Sequence, residues 1–215
     1  MYTSDIKGLI FDLDGVLLST DHYHYLAWRE SADALGIDFT EADNAQLRGV
    51  SRMESLEIIL RKKPSLTLSE EEKTAIATQK NERYREYLQQ LTPASVTDEV
   101  RETLLTLRQR GYLLAVGSSS KNTRFILSQT ELTDYFDAIA DGNDIKNSKP
   151  DPEVFLTAAD RLHLAPEVCA VIEDAEAGLE AAVRAGMLPI AYAAAYDSMQ
   201  AAIRLAGFSE LIRFF

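Results

Sequence analysis

Short apolar runs recur along the chain, each cut off by a polar cluster, with segments of helical periodicity between them. Ile6–Phe11 reads as a buried strand stopped by Asp12-Leu13-Asp14-Gly15. From Thr20 to Leu35, residues Trp28, Ala32 and Leu35 share one side of a helix that Gly36 is suited to close. Polar, helix-favouring segments follow at Glu41–Leu47, Met53–Arg61 and Ser69–Leu91, and Ser69 stands three residues before Glu72 as in a capping box. The stretch from about residue 19 to 93 contains no convincing strand.

The pattern changes after Thr92-Pro93. A helix over Glu99–Arg110, closed by Gly111, leads to a strand at Leu113–Val116 that ends in Gly117-Ser118-Ser119-Ser120-Lys121-Asn122. A helix at Thr123–Thr130, a strand at Ala138–Ala140 and a loop to Lys149-Pro150 come next. The chain continues with a helix at Val154–Leu162 and a strand at Ala170–Ile172 ending in Glu173-Asp174. A helix at Leu179–Ala185, stopped by Gly186, precedes a final strand at Pro189–Tyr192. This alternation predicts an α/β fold, a Rossmann-like parallel sheet with helices on both faces, which the first strand joins. The helical block is then a small cap domain inserted after that strand, giving a core of residues 1–18 and 94–215 and a cap of residues 19–93. In such sheets ligands bind at the carboxyl ends of the strands, where every polar cluster named above is expected.

Composition narrows the partners. The 215 residues carry a net charge of −12, so a basic footprint for nucleic acid or an anionic membrane is absent. A phosphate must then be bound locally, by helix N-termini, a few cations or a metal ion. The single cysteine, Cys169, precludes an internal disulfide, fits a reducing compartment and lies in an apolar run as a small packing residue. No apolar stretch approaches the roughly 20 residues of a membrane span, and no signal peptide is visible, so a cytoplasmic location is expected. Neither G-x-x-x-x-G-K-[ST] nor G-x-G-x-x-G occurs, which argues against a nucleotide-binding module.

Four clusters can carry chemistry, each with a plainer alternative. Asp12 and Asp14 repel each other unless a hard cation such as Mg²⁺ sits beside them, and one carboxylate can attack phosphorus, but Asp-x-Asp-Gly is also a turn sequence. Ser118, Ser119 and Ser120 suit a phosphate or merely cap the next helix. Lys149, stiffened by Pro150, can neutralise a transferring phosphoryl group or remain a solvated charge. Glu173 and Asp174 are metal-ligand candidates or favour the dipole of the following helix.

Their order along the chain is that of the haloacid dehalogenase (HAD) superfamily, which the sequence resembles over essentially its whole length. The resemblance implies that Asp12 is a nucleophile that becomes phosphorylated and Asp14 a general acid/base. It implies Mg²⁺ held by the Asp12 side chain, the Asp14 main-chain carbonyl and Asp174, with Glu173 direct or through water, and a transferring phosphoryl group bound by Ser118 and Lys149.

Within the superfamily, Leu47-Arg48-Gly49-Val50-Ser51-Arg52-Met53-Glu54-Ser55-Leu56 resembles the cap motif of the β-phosphoglucomutase family. That likeness implies a small sugar phosphate as partner and a monomer as the working form. It implies substrate contacts from Leu47, Gly49, Ser51, Arg52 and Ser55, with Arg52 gripping the phosphate that is not transferred. Thr20, His24, Trp28, Lys80, Ser120 and Asn122 match further family positions, His24 as a partner of Asp14 and Lys80 as a contact to the sugar. Arg52 and Lys80 as solvated charges, and Trp28 as packing, are the plainer readings. The implied reaction interconverts β-D-glucose 1-phosphate and glucose 6-phosphate through a bisphosphate. A sugar-phosphate or phosphoglycolate-type phosphatase would share the core residues. The family's Pro-Gly at the second hinge is replaced by Pro93-Ala94.

Overall fold

The computed structural model describes residues 3–47 and 50–215. The chain divides into two compact units, Met1–Ser19 with Leu91–Phe215, and Thr20–Gln90.

The first unit opens with strand β1 (Gly8–Phe11), whose four residues are all buried. Among the described residues the second unit follows as four helices: α1 (Asp21–Ala34), α2 (Glu41–Ala45), α3 (Arg52–Leu60) and α4 (Glu70–Leu88). The expected capping box starts α4: Ser69 Oγ accepts from the Glu72 amide at 3.2 Å and a Glu72 carboxylate oxygen accepts from the Ser69 amide at 2.7 Å. Trp28, Ala32, Leu56, Ile59 and Ala77 meet in this unit's own core.

The chain then returns to the first unit with α5 (Asp98–Gln109), β2 (Leu113–Gly117), α6 (Thr123–Gln129), β3 (Ala138–Ala140), α7 (Glu153–Arg161), β4 (Cys169–Glu173), α8 (Glu176–Arg184), β5 (Leu188–Tyr192) and β6 (Ile203–Leu205). Among the described residues these strands form one sheet in the order β3-β2-β1-β4-β5-β6, every neighbouring pair parallel. The expected parallel α/β architecture is present, with β1 at its centre. Pro189–Tyr192 is not the final strand, however: β6 pairs beyond it through Ile190↔Ile203. Helix α8 also begins at Glu176, three residues before the expected Leu179.

This strand order reverses between β1 and β4, and the crevice at such a switch point, outside the carboxyl ends of the strands, is where open α/β sheets bind ligands. Phe11 is level with Val116 on β2 and Ile172 on β4, so one residue further on Asp12 is level with Gly117 and Glu173. Apolar packing by Ile10, Val154, Phe155 and Val171 on one side of the sheet fixes that level. Among the described residues no helix is long and apolar enough to cross a membrane.

Candidate active site at the carboxyl ends of β1 and β4

Asp12 leaves β1 with its amide donating to the Ile172 carbonyl at 3.0 Å, which extends the β1–β4 ladder by one residue and aims the carboxylate into the crevice. It is 7 % exposed. Lys149 reaches it from the loop before α7: Nζ donates to Asp12 Oδ1 at 2.5 Å and to Glu173 Oε1 at 2.7 Å. The Lys149–Pro150 bond is cis. The other oxygen of Glu173 accepts from the amides of Asp174, at 2.6 Å, and Ala175, at 2.9 Å.

Asp12, Glu173 and Asp174 each offer a carboxylate oxygen, and these oxygens lie within 4.8 Å of one another. Burial, followed by the charge of Glu173, drives the pKa of Asp12 upward against the opposing pull of Lys149. Burial, then Glu173, Asp12 and Asp14, raises that of Asp174. Burial pulls the pKa of Lys149 down, but Asp12 and Glu173 outweigh it and hold it well above the ordinary lysine range. One cation among two buried carboxylates and the half-buried Asp174 leaves negative charge in excess. All-oxygen donors with negative charge in excess fit a hard divalent cation such as Mg²⁺.

Two glycines make room for these carboxylates: Gly15, already part of the Asp-x-Asp-Gly sequence, and Gly178, which the sequence did not single out. Gly15, at φ +87°, is so close to Asp174 that a Cβ would lie 2.0 Å from its Oδ2. A Cβ on Gly178, in the first turn of α8, would lie 1.8 Å from Glu173 Oε1. The only advance signal was position, one glycine beside the Asp-x-Asp pair and one five residues beyond Glu173. Gly178→Ala therefore sets two effects against each other. Helix propensity alone would stabilise the variant by about 1 kcal/mol, whereas the collision costs about 1–3 kcal/mol. A lowered melting temperature is expected in thermal denaturation, and a raised one would show that the Glu173 carboxylate does not occupy this space.

The loop after β2 carries the serines. The Ser118 amide donates to the Ala140 carbonyl at 3.1 Å, and Ser118 Oγ accepts from the Ser120 amide at 3.3 Å. Ser120 Oγ accepts from the Asn122 amide at 3.2 Å, and Asn122 is the residue preceding α6. Ser118, Asn122 and Lys149 are buried, and Asp14 is half-buried. In the first unit the structure thus gathers Asp12, Lys149, Glu173 and Asp174.

In the second unit Lys80 is 2 % exposed, donates from Nζ to His24 Nδ1 at 2.8 Å, and lies 4.8 Å from the ring centroids of both Trp28 and Tyr84. Burial, then the charges of Lys80 and Arg52, hold the His24 pKa well below the ordinary imidazole range. His24 is therefore neutral, with its proton on Nε2. Arg52, the first residue of α3, donates to Asn81 Oδ1 at 2.8 Å. Thr20 Oγ1 hydrogen-bonds the Tyr84 hydroxyl at 2.8 Å. Ser51 Oγ caps α3 by accepting from the Glu54 amide at 3.3 Å, Ser55 is buried, and Leu47 and Trp28 belong to the unit's apolar core. Gly49 lies outside the described residues.

The haloacid dehalogenase-like hydrolase family model matches residues 6–186. The chain belongs to that family. Within it, the chain is 40 % identical over 186 residues to the β-phosphoglucomutase of Bacillus subtilis (strain 168), an alignment covering 86 % of this chain and 82 % of that protein. A crystal structure of β-phosphoglucomutase from Clostridium difficile is 37 % identical and superposes with a TM-score of 0.87, covering 96 % of this chain and 93 % of the other. A phosphorylated carbohydrates phosphatase from Thermotoga maritima is 32 % identical over 184 residues, 85 % of this chain and 82 % of that protein.

Proposed function

We propose that this chain is a Mg²⁺-dependent, cytoplasmic β-phosphoglucomutase that interconverts β-D-glucose 1-phosphate and glucose 6-phosphate through a phosphorylated Asp12. Residues 20–90 serve as the cap that keeps water from the acyl phosphate. Mg²⁺, held by the carboxylates of Asp12, Glu173 and Asp174 and the main-chain carbonyl of Asp14, would offset the negative charge of the transferring phosphoryl group.

The chain's own groups supply the rest. Phospho-Asp12 donates to the free hydroxyl of the sugar phosphate while Asp14 takes the hydroxyl proton. The new phosphorus–oxygen bond forms as the bond to the Asp12 carboxylate breaks, which leaves a sugar bisphosphate. That bisphosphate turns over in the site and returns its other phosphate to Asp12, with Asp14 protonating the leaving oxygen. Lys149, bonded to Asp12 and Glu173, carries positive charge to the phosphoryl oxygens. Ser118 donates its hydroxyl to the same group, while Ser120 and Asn122 bind the remainder of the substrate. His24, with Nδ1 occupied by Lys80 and its pKa held low, keeps Nε2 as a donor rather than an acceptor.

One observation favours a mutase over a phosphatase: the helical unit holds a buried cation, Lys80, and a half-buried one, Arg52. A monophosphate ester gives such cations no second anion to bind, whereas a bisphosphate does. The reading is tested by supplying β-D-glucose 1-phosphate, Mg²⁺ and a trace of glucose 1,6-bisphosphate, and following glucose 6-phosphate and inorganic phosphate together. Glucose 6-phosphate without phosphate release supports it. Steady phosphate release from many sugar phosphates would make the chain a phosphatase, as its Thermotoga relative is named.

Arg52→Ala separates the two phosphates. Losing a charge-assisted contact to the spectator phosphate should cut mutase kcat/KM by about 10- to 100-fold. Hydrolysis of p-nitrophenyl phosphate, which has no second phosphate, should change little. An equal loss in both assays would remove Arg52 from that role.

A further inference from the structure

The loop after β3 contains a buried acid that the chemistry above does not use. Asp141 is 0 % exposed and follows directly on β3, whose last residue, Ala140, pairs with Gly117. Register therefore sets Asp141 level with Ser118. A buried carboxylate is costly where an apolar side chain would pack as well, so its partners indicate what it holds. Oδ1 accepts from the Asn143 amide at 2.9 Å and from Asn143 Nδ2 at 3.1 Å. Among the described residues Oδ2 makes no hydrogen bond, and it lies 3.1 Å from Nε of Arg124, a charge contact outside hydrogen-bonding geometry.

Asn143, oriented in this way, donates from Nδ2 to the Lys121 carbonyl at 3.0 Å. Its neighbour Gly142 donates its amide to the Ser120 carbonyl at 3.1 Å. The 118–122 loop is thus fastened along its backbone to the loop that continues to Lys149, whose own amide lies 3.5 Å from Ser119 Oγ. Asp144 anchors the other side, accepting from the Asp141 amide at 2.9 Å and from Arg161 at 2.7 Å.

We infer that Asp141, through Asn143, is a positioning residue for substrate binding, holding Ser120 and Asn122 where they grip the part of the substrate away from the reacting phosphoryl group. This rests on the roles proposed above for the 118–122 loop. The fastened carbonyls belong to Ser120 and Lys121, so the effect falls on binding and leaves the chemistry at Asp12 intact.

The test compares the full chain with Asp141→Ala and Asn143→Ala, using β-D-glucose 1-phosphate and, in parallel, p-nitrophenyl phosphate, too small to reach the loop's far side. Loss of the buried charged acceptor should raise the sugar-phosphate KM about tenfold, and loss of the exposed Asn143 amide about threefold. The kcat of both variants, and their hydrolysis of the small ester, should stay within about twofold of wild type. A role confined to fold stability would lower both activities in parallel, and that result, or an unchanged KM in both variants, overturns the inference. Should Asp141→Ala fail to fold, Asn143→Ala decides alone. If the wild type releases phosphate instead of isomerising the sugar, the mutase reading falls, and the same KM comparison is made on phosphate release.

Discussion

Asp12→Asn is expected to lower turnover by at least about 10⁴-fold, the scale on which enzymes lose rate when the attacking atom is removed. Asparagine has the shape of aspartate, but its neutral amide is a poor nucleophile towards phosphorus. The variant should still fold, since Lys149 keeps Glu173 as a partner at 2.7 Å and the variant removes one of three crowded carboxylates. Steady-state turnover with β-D-glucose 1-phosphate, alongside a thermal melt, is the measurement. A folded variant within about a hundredfold of wild type would mean that the residue only orients the reactants.

Lys149→Ala should affect both activity and stability. Without the ammonium that meets Asp12 at 2.5 Å and Glu173 at 2.7 Å, transition-state charge loses its nearest protein cation, and kcat should fall by about 10²- to 10³-fold. Removing one partner from a buried ionic cluster also costs about 3–5 kcal/mol where the carboxylates are ionised. The sign of the pH dependence follows from the carboxyls. Burial raises Asp12 to about 7 and Asp174 to about 8, above the ordinary carboxylate range they have when unfolded. Between that range and mildly alkaline pH the folded state therefore binds more protons than the unfolded state, so metal-free stability declines as pH rises through this window. Lys149 lowers the Asp12 pKa, so the variant should show a steeper decline, with its deficit small near pH 5 and largest above pH 8. Mg²⁺ should recover part of that deficit at the higher pH, since it binds the ionised carboxylates. A deficit independent of pH would show that the lysine contributes packing against Phe155, whose ring centroid is 4.6 Å from Nζ, and no charge compensation.

The parts of this site that were legible in the sequence are those where a buried apolar strand stops at a polar or charged residue. Phe11 to Asp12, Gly117 to Ser118 and Ile172 to Glu173 are such breaks, and parallel register brings them to one level. Strand β6 was not legible because Ile203–Leu205 is three residues long with an arginine at its centre, a pattern that a loop shares. The early start of α8 at Glu176 was obscured because its first turn contains Gly178, a poor helix former whose place there follows from the Glu173 carboxylate rather than from local propensity. Asp141 was passed over for a similar reason. Its partners, Asn143 and Arg124, are 2 and 17 positions away, and nothing in the string Ala140-Asp141-Gly142-Asn143 distinguishes a loop clasp from an ordinary turn.

In the helical unit, spacing foretold the helices and the Ser69 cap but not the pairing of Lys80 with His24, which lie 56 positions apart on α4 and α1. That contact exists because two apolar faces pack and bring a polar pair with them. Leu47 and Trp28 illustrate the reverse, since both contribute to the unit's apolar core.

The most direct measurement is to find the phosphoryl group itself. The protein is incubated with Mg²⁺ and glucose 1,6-bisphosphate, quenched in acid, and reduced with borohydride, which converts an aspartyl phosphate to homoserine. Peptide mass spectrometry should then find homoserine at position 12, with Asp14 and Asp174 unchanged and no conversion in Asp12→Asn. Homoserine at another position, or none at all in a preparation that turns over substrate, would contradict covalent transfer through Asp12.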